Sequence, residues 1–391
     1  RARLNRVELP PFRAGIRAGT RSVMVAHLAV PALDATPAPP LREAARNEVF
    51  TEDVKEVADD GTLPATLSPA MVNGLLRKEL GFDGLVVTDA MTMGGLVAHF
   101  DAPDAALRAI EAGVDQVLMS ADTSASIRGV LAAVKSGRLP EKTVDAAVAR
   151  ILKVKRELGL YERRMPPLED VARVVGRREH EALEYEVASR SLTLLRDGGA
   201  LPVPAKDRVL GVLVVDDGQI TPAALRGIGP GLTAGLTKRA KAGGGSAVVR
   251  RVDQRATAED VARVLEDAKA ADTIVVAFFV PPLSGAGKLA LPPRARDLVK
   301  ELQATGKKVV AVSFGNPYLL RDFPELTTYL CAYGIHDVIQ RAVAAALYGE
   351  TAISGRSPVT LPGLVKRGDG IEKKAVTAPV PPAPPVLPSR V

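Results

Sequence analysis

The sequence predicts an α/β protein of two domains, with parallel strands buried between helices. Three observations carry this expectation. Continuous apolar runs of strand length (22–30, 84–90, 208–215, 273–280) alternate with stretches whose apolar residues recur at helical spacing. At 391 residues the chain exceeds what one hydrophobic core ordinarily organises. The polar residues His27, Asp89 and Ser120 with Asp122 fall at or near the carboxyl ends of the runs 22–30, 84–90 and 114–120, where parallel α/β folds build their sites.

Taken in order, residues 4–19 read as a helix broken near Pro10 and Pro11 and stopped by Gly19. SVMVAHLAV (22–30) is a strand by its Val and Met content. An irregular Pro- and Ala-rich stretch, about 31–66, follows. Ser68-Pro69 opens a helix as a capping serine with proline in the first turn, and Gly81 ends it. GLVVTDA (84–90) is the second strand. A helix over 102–112 ends at Gly113, VDQVLMS (114–120) is a third strand, and helices span 124–136 and 140–158. Three continuous apolar strands suit a doubly wound sheet or a barrel, and the placement of the polar residues favours the barrel.

Residues 161–178 form a polar connector. A second region opens with a helix reading HEALEYEVASRSLTLLRD, turned at Gly198-Gly199. Strands at 208–215, 247–252, 273–280, 308–314 and 327–333, with helices at 257–270, 291–304 and 335–348, predict an open α/β/α sandwich. GIGPG (227–231) and AGGGS (242–246) are Gly-rich, but neither is expected to follow a strand and open a helix, as a nucleotide fingerprint requires. The end of the chain, APVPPAPPVLPSRV from Ala378, reads as a Pro-rich tail.

Composition narrows the function. Hydrophobic residues make up 47% and charged residues 25%, the balance of a globular chain. The net charge of +7 is spread without a basic run, aromatics are 4% and Trp is absent, so nucleic-acid binding is not supported. The single cysteine, Cys331, excludes an internal disulfide and sits in a core-like run. The four histidines have no metal-ligand spacing, and neither a metal nor another cofactor is expected. No apolar run reaches the length of a membrane span.

The stretch GFDGLVVTDAMTM (81–93) raises the functional question, because a buried strand ends on a carboxylate, Asp89. Alone, Asp89 reads equally as a working acid or as the N-cap of a following helix. The wider segment PATLSPAMVNGLLRKELGFDGLVVTDAMTM (64–93) resembles the nucleophile region of glycoside hydrolase family 3. Leu67-Ser68, Leu75-Leu76-Arg77, Glu79-Leu80-Gly81-Phe82, Thr88-Asp89 and Met93 carry the resemblance. SVMVAHLAVPALD (22–34), SRSLTLLRDGGALPV (189–203) and GRSPVTLP (355–362) extend it over roughly 1–365. Ala90 follows Asp89 where the β-glucosidase branch usually has Trp, which favours the bacterial β-N-acetylhexosaminidase (NagZ-type) branch.

The resemblance implies a retaining glycosidase that removes terminal β-linked N-acetylglucosamine from cell-wall muropeptide fragments. Asp89 is then the nucleophile, and His27 and Met93 line the sugar pocket. The alternatives are a β-glucosidase or β-xylosidase of the same family, and an inert fragment acting only as a binding module. The expected domains are 1–160, strands six to eight of a TIM barrel; 161–178, a linker; 179–365, the C-terminal α/β/α domain; and 366–391, a Pro-rich tail. Barrel strands one to five and the family's Lys-His-Phe-Pro-Gly-His-Gly-Asp-type loop have no counterpart. A chain truncated at its N-terminus, lacking its acid/base and inactive by itself, is therefore expected. An exported or cell-wall-associated protein is favoured over a cytoplasmic one.

Overall fold

The computed structural model describes residues 1–42, 61–215, 226–280, 291 and 293–377, and divides into two compact units, Arg1–Leu168 and Glu169–Val391. Residues 43–60 of the irregular stretch, and the Pro-rich end from Ala378, lie outside the described residues.

In the first unit the expected break at Pro10-Pro11 is a change of winding. A wide turn over Leu4–Glu8 leads straight into α1 (Leu9–Arg17), with the prolines in its first turn, where a missing N–H leaves nothing unsatisfied. β1 (Ser22–Val25) is shorter than expected and pairs in parallel with β2 (Leu85–Thr88), in register from Ser22 with Leu85 to Val25 with Thr88. Between them Ser68 caps as anticipated. Its Oγ accepts the Met71 N–H (3.1 Å) at the head of a wide-wound helix, Ala70–Glu79. After β2 come α2 (Ala102–Ala112), α3 (Thr123–Lys135) and α4 (Glu141–Glu157). Gly113 closes α2 at φ +104°, and a Cβ there would also meet the Asn73 side chain at 2.2 Å. The core gathers Leu67, Val72, Leu76, Val86 and Leu96 under one side of the strand pair.

The third strand expected at 114–120 does not form. The segment meets β2 through a single bridge, Val87 to Gln116. Side chains occupy ladder positions instead: Asp115 Oδ2 accepts the Val86 N–H (2.8 Å), and Thr88 Oγ1 accepts the Leu118 N–H (2.9 Å). Met119, at φ +49°, is left-handed and cannot continue a strand.

Asp115 is also the hub of a buried ion network. Its two oxygens take Arg77 (2.7 Å) and Arg150 (2.8 Å), and its side chain is 1% exposed. Arg77 therefore pairs with Asp115 and not with Glu79, which Arg1 and Arg13 hold. Asp115→Ala would leave a largely buried guanidinium and the Val86 N–H without partners. We expect a loss of about 3–5 kcal/mol in urea unfolding. A loss below about 1 kcal/mol, the range of exposed pairs, would refute the network's role.

The second unit begins near α5 (Leu168–Val174), a short helix inside the expected connector, followed by α6 (Arg178–Ser191). The helix expected to continue through TLLR stops there. Thr193–Arg196 is β3, an antiparallel edge strand against β8 (Tyr329–Cys331). The sheet order is β3-β8-β7-β6-β4-β5, with β4 (Arg208–Val215), β5 (Ser246–Val252), β6 (Thr273–Phe279) and β7 (Lys308–Ser313) running parallel with β8. Along β6, Val275, Ala277 and Phe279 face a layer containing α6, α7 (Pro230–Ala242) and α10 (Asp337–Leu347). Ile274, Val276 and Phe278 face α8 (Ala258–Ala270) and α9 (Pro293–Ala304). Burial on both faces is why these strands read as unbroken apolar runs. Cys331 is a free thiol fully inside this core, and burial pushes its pKa far up.

Two further expectations are corrected here. GIGPG does open a helix, α7, but the end of that helix is filled. The Oε1 of fully buried Gln340 accepts the Gly229 N–H (3.0 Å), and its Nε2 donates to the carbonyls of Gly227 (2.7 Å) and Ile335 (2.8 Å). A side chain from α10 thus takes a backbone donor a phosphate would use. Residues 366–377, placed in the tail by the expected domain bounds, return to the fold through bridges Leu194–Ile371 and Ile353–Lys373. Arg239 and Glu350 form a two-pronged buried pair (2.9 and 2.6 Å) that ties α7 to the end of α10.

Candidate active site

Asp89 leaves the carboxyl end of β2, and the backbone around it is anchored on both sides. Its own N–H donates to the Val25 carbonyl (3.0 Å) at the end of β1. One residue on, the peptide joining Ala90 to Met91 is gripped at both edges. The Met91 N–H donates to the Leu118 carbonyl (3.0 Å), and the Ala90 carbonyl accepts from His27 Nε2 (3.0 Å). Between these anchors the Ala90 N–H donates to Asp89 Oδ1 (2.7 Å). Asp89 Oδ2 has no partner, and the carboxylate makes no ion pair, among the described residues. Asp89 is not a helix cap: the next helical turn, Gly94–Val97, begins at Met93 without a side-chain cap. The carboxylate is part-exposed and has one oxygen free for chemistry.

His27 lies two residues past β1, part-buried, and both its ring nitrogens are engaged within the protein, Nε2 with Ala90 and Nδ1 with Thr66 Oγ1 (2.9 Å). Met93 is 47% exposed, whereas Met91 at 3% is the methionine that fills the core. Ser120 and Asp122 are absorbed locally. Ser120 Oγ bonds Ser126 Oγ (2.8 Å), and Asp122 caps α3 through the Ala125 N–H (2.8 Å). His99 is part-buried and donates from Nδ1 to the Pro39 carbonyl (2.7 Å).

Sequence reasoning missed Thr66 and Asp34. Thr66 is fully buried, and its Oγ1 lies 3.1 and 3.0 Å from the Val25 and Ala26 carbonyls. Its place in the Pro-Ala-Thr-Leu-Ser pattern was the available signal. Asp34 bonds the Ser68 hydroxyl and the Thr36 N–H, and these bonds hold its carboxyl below the usual carboxylate range. Among the described residues no group of His, Cys, Asp and Glu is arranged to hold a metal ion, and no helix is long and apolar enough to cross a membrane.

A carboxylate fixed at a strand end, inside a two-unit α/β chain, matches one family in both parts. Residues 1–154 match the glycosyl hydrolase family 3 N terminal domain, and residues 192–378 match the glycosyl hydrolase family 3 C-terminal domain. The chain belongs to glycoside hydrolase family 3. It is 30% identical over 362 residues to a β-N-acetylglucosaminidase/β-glucosidase of Cellulomonas fimi, covering 89% of this chain and 59% of that protein. It is 25% identical to β-hexosaminidase A of Pseudoalteromonas piscicida, over 92% of this chain and 61% of that one. Among solved structures it resembles a family 3 β-N-acetylglucosaminidase from Paenibacillus sp. str. FPU-7, with a TM-score of 0.70 and 27% identity, covering 91% of this chain and 61% of the other. The chain thus spans about three fifths of the length of these relatives.

Proposed function

We propose that these residues carry the nucleophile of a retaining β-N-acetylglucosaminidase acting on cell-wall muropeptide fragments, with Asp89 as the attacking group. The observation that supports this most is the free Oδ2 on a carboxylate whose other oxygen is tied to Ala90. Oδ2 attacks the anomeric carbon from the face opposite the leaving group. The glycosidic bond breaks, the departing oxygen takes a proton from a general acid, and water later releases the sugar from the aspartyl ester with retained configuration. In this reading the general acid lies on a barrel loop outside the 391 residues, and residues 1–160 are one part of that barrel. The open flank of β1, where Met24 is 53% exposed, and the irregular 114–120 segment are where further strands would add. Met93, half-exposed and four residues after Asp89 in the chain, then packs under the sugar ring. An exported or wall-associated location fits the substrate.

The second reading is a β-glucosidase, which the double name of the Cellulomonas relative supports. Ala90 in place of an aromatic residue argues for the aminosugar. A panel of nitrophenyl β-glycosides, assayed with a longer polypeptide carrying these residues, separates the two. We expect kcat/KM for the N-acetylglucosaminide to exceed that for the glucoside by roughly 10²-fold, since a pocket built to bond the acetamido group rejects a sugar lacking it. Equal or reversed values would overturn the aminosugar assignment.

A further inference from the structure

We propose that His27 is a positioning residue for Asp89 and not a sugar ligand, an inference that rests on Asp89 being the reacting carboxylate. A carbonyl oxygen only accepts, so the contact with Ala90 assigns the proton to His27 Nε2. That proton is committed to the protein. Nδ1 is committed as well: with the proton on Nε2 it faces the hydroxyl of fully buried Thr66 as an acceptor, and that hydroxyl's Oγ1 also lies 3.1 and 3.0 Å from the Val25 and Ala26 carbonyls. The ring therefore has no nitrogen left for a sugar hydroxyl.

Its effect on Asp89 follows from peptide planarity. The 90–91 peptide is fixed at its carbonyl edge by His27, with the local Met93 N–H, and at its N–H edge by Leu118, and the 88–89 peptide is fixed by Val25. Only the 89–90 peptide lies between these two anchored planes, and its N–H is the one bonded to Asp89 Oδ1. Losing the His27 bond leaves the Ala90 carbonyl to the Met93 N–H alone (3.1 Å), a bond within its own turn, so the torsions at Ala90 loosen, the N–H holds Oδ1 less firmly and Oδ2 loses its fixed direction. His27 in this way sets which carboxylate oxygen is free and where it points, a role that sequence alone could not distinguish from sugar binding.

The test needs no turnover. Hydrogen exchange and the pH response of the Ala90 amide, followed by NMR in the 391-residue chain, read its bond to Asp89 directly. His27→Gln keeps a nitrogen donor as many bonds from Cβ as Nε2, whereas His27→Asn places its donor at the Nδ1 position. We expect the Ala90 amide to exchange roughly three- to tenfold faster in His27→Asn, the equilibrium worth of one hydrogen bond, and to regain most of its protection in His27→Gln. The Val86 amide, held by Asp115, serves as the folding control. Unchanged Ala90 exchange in His27→Asn, or equal losses in both variants, overturns the proposal. If neither variant folds, the ¹⁵N shifts of the imidazole in the unaltered chain decide: a proton on Nε2 supports the role, and an unprotonated Nε2 overturns it. Separately, trapping of a glycosyl-enzyme in the longer polypeptide tests Asp89. A label away from Asp89 with a responsive Ala90 amide removes the nucleophile alone, and a label on Asp89 with an unresponsive amide removes the positioning role alone.

Discussion

Replacing Asp89 with asparagine is expected to lower turnover of a nitrophenyl N-acetylglucosaminide by roughly 10⁴-fold or more in a polypeptide long enough to be active, the scale seen when a covalent nucleophile is removed. The substitution keeps the shape at the end of β2, and the amide oxygen can still accept the Ala90 N–H. What it removes is the second oxygen's charge, and with it the ability to form the glycosyl ester. The loss should therefore appear in kcat with little change in stability. Trapping with a 5-fluoro glycosyl fluoride should label the peptide containing Asp89, and the product should keep its anomeric configuration. A label elsewhere, an inverted product, or an Asn variant within tenfold of the parent would remove Asp89 from the chemistry.

The second large effect is expected in the 391 residues by themselves, which should turn over the same substrate at close to the background rate. General acid help is worth roughly 10² to 10⁴-fold. His27, whose ring bonds the residue after Asp89, has its Nε2 proton committed to Ala90. The pocket is short of walls too, because β1 presents an open edge and the 114–120 segment meets β2 at a single bridge. Asp89 then stays hydrated, with no sugar held in line. The two losses act on one transition state and compound. Assaying the chain beside its Asp89→Ala variant decides the matter. Robust turnover that the variant abolishes would place an acid/base within these residues, whereas equal background rates support the reading of a separated nucleophile.

Much of this fold was legible because burial leaves a pattern. RVLGVLVV and TIVVAFF read as strands since helices cover both faces of the sheet, and Gly81 and Gly113 marked helix ends by their left-handed backbone. The illegible parts share a different cause, which is that the deciding partner is remote. TLLR has leucines compatible with the preceding helix, and only β8 makes it a strand. GIGPG opens a helix whose end is capped from α10 by Gln340, 111 residues away. The 114–120 run has strand composition, yet Asp115 and Thr88 replace ladder bonds with side-chain bonds, which periodicity does not encode. At the site, the placement of Asp89 at a strand end was readable from LVVTD. The engagement of His27 with Ala90 and Thr66 was not, since it joins three segments distant in the chain.

The edge position of β3 has a consequence during synthesis. Its partner β8 is made long afterwards, and Arg196 reaches forward to the Leu326 carbonyl, 130 residues away. At about 5–20 residues per second, the ribosome leaves Thr193–Arg196 without its neighbour for on the order of ten seconds. Leu194, fully buried in the finished sheet, is exposed for that interval. The second unit therefore cannot close as its first strand emerges. It must wait for well over half its length, with an unpaired apolar segment available to chaperones, or to another nascent chain, until β8 (Tyr329–Cys331) arrives.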